Sequence, residues 1–290
     1  MKKKPGRPEE IKPSLTRYLS DSLVLLGQQP VPGDKAIHDV RVLMKKYRAA
    51  IKLVSPVLDE ETYRREYLAG RETGRMLCTW RETSVLRKTV KSLKKENPGL
   101  FMKLWDNETI QNLLRKPYTT WEAAGEQARS VTDISTILRR ALYRIRFLSL
   151  GNPDVHQLLQ QLNQNYLTAA KSYLDCRNNP KPVLLHEFRK KSKTFLYQLC
   201  YFRHLNPQAV RSLEKRLDVL TQNLGRYNDL AQIISITGYR YGDPGNSAVT
   251  DELAVVIRDR QDTYLSKVWP SAFRIFSPGK SLHDLLGVAF

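Results

Sequence analysis

Residues 36 to 53 read AIHDVRVLMKKYRAAIKL, and two patterns share this one helical repeat. Val40, Met44, Tyr47, Ile51 and Val54 recur every three or four residues, the apolar stripe of a helix packed on a core. His38, Arg41, Lys45, Arg48 and Lys52 recur with the same spacing. At about 100° per residue they fill an arc roughly 80° wide, beside the apolar stripe and not opposite it. The only acid of the stretch, Asp39, points away, so like charges sit at i and i+4 with nothing of opposite sign between them. Something anionic is expected to compensate. From His38 to Lys52, at about 1.5 Å of rise per residue, the row is roughly 21 Å long, which suits an extended polyanion better than one small phosphate. A merely basic solvated face is the competing reading.

The whole chain agrees with a polyanion partner. Its 290 residues carry 48 Lys+Arg against 29 Asp+Glu, a net charge of +19, with a pI near 9.9. Such a balance favours polyanions or an anionic membrane surface. Hydrophobic residues make up 41%, enough for a sizeable core, and the length suits one large domain or two moderate halves. Cys78, Cys176 and Cys200 are far apart and odd in number, which reads as reduced core thiols of an intracellular protein. The start, MKKKPGRP, is a basic tail over residues 1–8 with no apolar region behind it. No run of eighteen apolar residues occurs, so no membrane span is expected and the chain reads as cytoplasmic.

Glycine and proline sit between periodic segments, and the class expected is all-α. Helices are predicted over 14–28, 34–55, 60–96 with an irregularity near Gly70 and Gly74, 119–150, 154–177, 184–202, 208–237 and 250–276, with a short helical excursion at 100–118. Asp34 is the expected N-cap of the organising helix. In the segment from Ile134 onward, Leu138, Leu142 and Ile145 form an apolar line accompanied by Arg139, Arg140, Arg144 and Arg146. Gly151-Asn152-Pro153 breaks the chain near its middle and separates a first half, 9–150, from a second, 153–290, with four main helices each.

The halves match each other. His38-Asp39-Val40-Arg41 aligns with His186-Glu187-Phe188-Arg189, and Lys45 with Lys193, at one constant offset; Trp80-Arg81-Glu82-Thr83 aligns with Tyr227-Asn228-Asp229-Leu230 at nearly the same offset. This implies a duplicated four-helix unit, in which the two HxxR helices would face one shared groove about a pseudo-two-fold axis. HDVRVLMKKYR in the first half, with HEFRKKSKTFLY and LGRYNDL in the second, resembles the CHAD domain, a histidine-containing α-helical domain. That resemblance implies two antiparallel four-helix bundles related by pseudo-two-fold symmetry, a basic central surface, binding of inorganic polyphosphate, an association with polyphosphate granules, and no catalysis or cofactor of its own. Carried over position by position, it assigns ligand binding to His38, Arg41, Lys45, Lys46, Arg48, His186, Arg189, Lys190 and Lys193; Lys52 joins them from the spacing alone. The second helix departs from the pattern at Thr194 and Leu196, and the first half has Arg81-Glu82 where the pattern prefers an arginine–aspartate pair.

Arg81, Glu82, Asp229, Arg140 and Arg144 are expected as supporting residues. Glu82 and Asp229 suit ion pairs that orient arginines better than a catalytic carboxylate pair, since each adjoins a basic or amide residue. His38 and His186 could donate to phosphate oxygens, but a helix N-terminus disfavours an imidazolium, so packing and hydrogen bonding to Glu82 or Asp229 is the favoured role. No cluster of His, Cys and carboxylates at usable spacing predicts a metal. Walker A, GxGxxG, HExxH and GxSxG motifs are missing, as is the ExExK signature of triphosphatase domains, so a polyphosphate-metabolising enzyme would be on another chain. A nucleic-acid-binding helical module is the alternative. It needs aromatics for stacking, and only Tyr197 and Tyr201 border the second stripe, which favours a ligand without bases.

Overall fold

The computed structural model describes residues 7–28, 32–104, 107–114, 121–150, 154–239, 241, 243 and 247–288, apart from the side chains of 79, 81, 109, 113–114 and 121–127. Twelve α-helices run through these residues: α1 (Ile11–Gly27), α2 (Asp34–Leu53), α3 (Glu60–Met76), α4 (Cys78–Glu96), α5 (Pro98–Lys103), α6 (Glu108–Leu114), α7 (Trp121–Phe147), α8 (Val155–Asn178), α9 (Pro182–Leu199), α10 (Pro207–Ile236), α11 (Ala248–Phe276) and α12 (Leu282–Leu286). Among the described residues there is no strand.

The starts of these helices follow from their residues. Asp59, Asp154, Asn206 and Ser247 each accept a backbone N–H of the following first turn, and Pro98, Pro182 and Pro207 stand at a first helical position, where no N–H is needed. Asp34 does not cap α2. Gly33 is the N-cap, and the Asp34 carboxylate accepts the Ser84 hydroxyl of α4 at 2.5 Å. Instead of one helix over 60–96 the chain forms α3 and α4, separated at Leu77, a fully buried residue whose N–H bonds to Thr73 and Arg75. The basic tail is shorter than expected, because Pro8 is buried in a 3-10 turn over Pro8–Glu10; residues 1–6 and the break at 151–153 lie outside the described residues.

Helices α1, α2, α3 and α7 pack each on its neighbours in a ring, as do α8, α9, α10 and α11, and the two groups meet where α2 packs on α9. One apolar core runs through both, from Ile11 to Leu286. There Gln198 of α9 donates to the Ala49 carbonyl of α2 at 2.9 Å. A second core joins Val90, Leu93, Phe101 and Ile110 of α4 to α6 with Leu230 and Ile233 of α10 and Leu253 and Ile257 of α11. The excursion in the first half therefore packs on the second half, and the halves are not self-contained.

Inside the first ring a buried carboxylate links three helices. Glu66 of α3 is 1% exposed and accepts the Tyr47 hydroxyl of α2 at 2.9 Å and the guanidinium of Arg144 of α7 through both oxygens, with Arg65 at 3.4 Å. Arg144, expected as a supporting residue, thus fastens α7 to α3. Removing it leaves a buried carboxylate with the Tyr47 hydroxyl and one distant cation, Arg65, so Arg144→Ala is expected to lower stability by about 3 kcal/mol in chemical denaturation.

Candidate functional site

The cationic arc of α2 follows from its apolar stripe. Val40, Met44, Tyr47 and Ile51 are at most 1% exposed and turn into the core, which fixes the adjoining arc against α9. Between them opens a cleft of about 690 Å³. His38, Arg41, Lys45, Arg48 and Lys52 of α2 line one wall, and His186, Arg189, Lys190, Lys191 and Lys193 of α9 the other. Helices α3, α4, α8 and α10 close the sides with Tyr67, Arg71, Glu82, Asn165 and Asp229, among others.

Of the residues predicted as ligands, the structure brings all but Lys46 to this cleft; Lys46 lines a smaller groove with Asp21 and Asp39 between α1 and α2. Arg140 is exposed on α7 and lines no part of it, and the Arg81 side chain lies outside the described residues. Tyr201, expected beside the stripe, is fully buried with its hydroxyl 3.4 Å from that of Tyr18. Cys78 is not a core thiol: it lines the cleft and donates to Glu82 at 2.9 Å, the role found for Glu82 among the described side chains. Burial and Glu82 both raise the thiol's pKa. Sequence reasoning missed Tyr67 and Arg71, which come from α3. No periodicity marked them, because α3 carries cations on several faces. Lys191 was likewise absent from the expected ligands.

The two walls neutralise their charge differently. Arg41 donates to the Gly74 carbonyl at 2.5 Å and Arg189 to the Thr221 carbonyl at 3.2 Å, each spending part of a guanidinium on the backbone of the next helix. Gly225 makes the second approach possible, since a β-carbon there would lie 3.1 Å from Arg189 Nε and Nη2. On α9, Lys190 pairs with Glu187 at 2.6 Å and Lys193 with Asp218 at 3.0 Å. On α2, among the described residues, no carboxylate comes within ion-pair distance of Arg41, Lys45, Arg48 or Lys52. Arg48 lies over the Tyr67 ring, 5.8 Å from its centroid, and its Nε is buried without a hydrogen-bond partner.

The electrostatic consequences are legible in the titration of three groups. Burial, then Arg189, Arg41, Arg48 and Lys193, lowers Lys45 from its ordinary 10.5 to about 8. Burial and Lys191 lower Lys52. Burial, followed by Lys190 and Arg189, lowers His186, so its ring is neutral at neutral pH; Asn228 is within hydrogen-bonding reach of it, and its Nδ1 is buried without a partner. The favoured packing role therefore fits His186, with Asn228 in place of Glu82 or Asp229, while His38 is exposed at the cleft. Among the described residues no group of three His, Cys, Asp or Glu side chains could hold a metal ion, and no helix is long and apolar enough to cross a membrane.

Fold and cleft together define a helical protein with an electropositive groove at the junction of two helix groups. The CHAD domain profile matches residues 25–235, and the chain belongs to that family. A solved structure, the CHAD domain from the plant Ricinus communis, superposes with a TM-score of 0.55 at 16% identity, covering 100% of this chain and 94% of that one, a likeness of fold. No curated protein matches.

Lys45 yields a test independent of any ligand. Its charged form is disfavoured in the folded chain, so stability is lowest where the ammonium is forced, below about pH 8, and rises as pH climbs from about 8 towards 10.5. Lys45→Met keeps the length of the stem without the charge. At neutral pH it is expected to stabilise the fold by about 1–3 kcal/mol in urea denaturation, a gain that shrinks above pH 8.

Proposed function

We propose that this chain binds inorganic polyphosphate, without catalysis, in the groove between α2 and α9. The observation that carries this reading is the wall of Arg41, Lys45, Arg48 and Lys52, four cations with no carboxylate partner among the described residues, where burial and then the charges of Arg189, Arg41, Arg48 and Lys193 depress Lys45. A chain of phosphates would supply the missing charge along the length of that wall. Arginines would hold it by bidentate contacts and lysines as point charges. In this reading the two halves are copies of one four-helix unit about a pseudo-two-fold axis. The similar use of Arg41 and Arg189 on backbone carbonyls supports that. In this reading the chain acts alongside a polyphosphate-metabolising enzyme, and the place of action is the cytoplasm, at polyphosphate granules.

Nucleic acid fits the groove less well. Its two large aromatic side chains are occupied: Arg48 covers Tyr67, and Lys193 lies 5.6 Å from the centroid of Tyr197. Neither offers an unclaimed face for a base to stack on. Competition binding of polyphosphate against single- and double-stranded nucleic acid at matched salt is the discriminating experiment. Polyphosphate is expected to win, its log affinity falling linearly with log salt, and Arg41→Ala to flatten the slope. Salt-insensitive binding would sink the proposal, as would reproducible orthophosphate release from tripolyphosphate that Glu82→Gln abolishes.

The contrast between the walls generates a further outcome. The cations of α9 are partly matched by Glu187 and Asp218, and, among the described residues, Arg41, Lys45, Arg48 and Lys52 of α2 are not. A charge-assisted hydrogen bond contributes about 1.5–3 kcal/mol when desolvated and less in water, so uncompensated cations should contribute most. Lys45→Ala/Arg48→Ala/Lys52→Ala is expected to weaken polyphosphate binding at least tenfold more than Arg189→Ala/Lys193→Ala, a gap of about 1.4 kcal/mol. Circular dichroism must show both variants helical. Equal losses would indicate that the two walls engage the ligand symmetrically.

A further inference from the structure

The aromatic faces missing from the groove lie on another surface. Tyr143 and Phe147 of α7 are 66% and 72% exposed, side by side with ring centroids 5.0 Å apart. At about 100° per residue they share an arc of roughly 120° with Arg139, Arg140 and Arg146. All three arginines are exposed, and no acid occurs from Arg139 to Phe147. Among the described residues none of the three is in an ion pair. Beneath the rings a groove of about 390 Å³ runs between α7 and α3, with Arg65 on its far side, paired to Glu61 and Glu66. Arg144, the neighbour that is paired, is turned inward to Glu66.

We propose that this outer face of α7 binds single-stranded nucleic acid, with bases stacked on Tyr143 and Phe147 and phosphates held by Arg139, Arg140 and Arg146. Sequence-tolerant single-strand sites combine these two elements, open aromatic faces and a cationic track beside them. A bare polyphosphate has no use for the rings. An anionic lipid surface would use them, but an interfacial helix inserts a whole apolar face, and the outer arc here has two rings among three guanidinium groups. The site is separate from the α2–α9 groove and does not rest on what that groove binds.

The test uses fluorescence anisotropy of labelled oligo(dT) and oligo(U) of about 12 nucleotides, beside an abasic oligomer of equal length. The full chain is expected to prefer base-containing strands over the abasic one roughly tenfold. Tyr143→Ala/Phe147→Ala should erase that preference and leave polyphosphate affinity unchanged, while Tyr143→Phe and Phe147→Tyr should retain it. Arg139→Ala/Arg140→Ala/Arg146→Ala should flatten the salt dependence for the oligonucleotides. Equal affinity for abasic and base-containing strands would overturn the proposal. So would tighter binding to phosphatidylserine vesicles than to oligonucleotide, or self-association in sedimentation that the double alanine variant dissolves.

Discussion

Two helices that each carry a row of positive charge pack directly on one another, and the arrangement of the whole chain answers that constraint. The apolar stripes of α2 and α9 lie next to their cationic arcs, so burying the stripes brings the arcs together. Like charges brought close in partly desolvated surroundings repel strongly. The apolar core shared by the two helix groups offsets the repulsion, and Gln198 pins the helices through the Ala49 carbonyl. Backbone carbonyls of Gly74 and Thr221 take over a task usually left to carboxylates, accepting from Arg41 and Arg189. A carbonyl can orient a guanidinium without cancelling its charge, and the field in the groove survives.

That distinction separates two kinds of arginine in the same molecule. Arg144 meets the buried Glu66 and is neutralised, so it fastens α7 to α3 and contributes little field elsewhere. Arg41 meets a carbonyl and stays a full cation facing the groove. Lys45 shows what the second arrangement costs, since burial first and then four neighbouring cations bring its ammonium down from its ordinary 10.5 to about 8. Stability is therefore lower than an apolar side chain at that place would allow, a familiar compromise where a site must hold charge ready for a ligand.

The α2 segment was legible from its sequence because both determinants are local: periodicity set which face is buried, and the neighbouring arc followed. The HxxR match between halves likewise singled out His186, Arg189 and Lys193, which line the same cleft as the α2 row. What could not be read depends on partners distant in the chain. Nothing near Arg144 signals Glu66, and nothing near Tyr201 signals that it meets Tyr18 in the core. The separation of α3 from α4 falls three residues beyond Gly74, close to the expected irregularity, but its position at Leu77 is set by an apolar residue that turns inward. The packing of α4 to α6 on α10 and α11 escaped for a related reason. Their amphipathic pattern shows that a face is buried, but not against which half.

Aromatic residues beside cations have opposite meanings on the two surfaces, and the difference lies in whether a ring face is already engaged. Within the groove, Arg48 and Lys193 rest over Tyr67 and Tyr197, which fixes the side chains that would face an anion and leaves the rings no separate role. On α7 the rings of Tyr143 and Phe147 are exposed, as are Arg139, Arg140 and Arg146 on the same arc of the helix. A composition count sees the same residue types in both places. Only packing distinguishes rings already covered by a cation, as in the groove, from rings that remain exposed beside exposed arginines, as on α7.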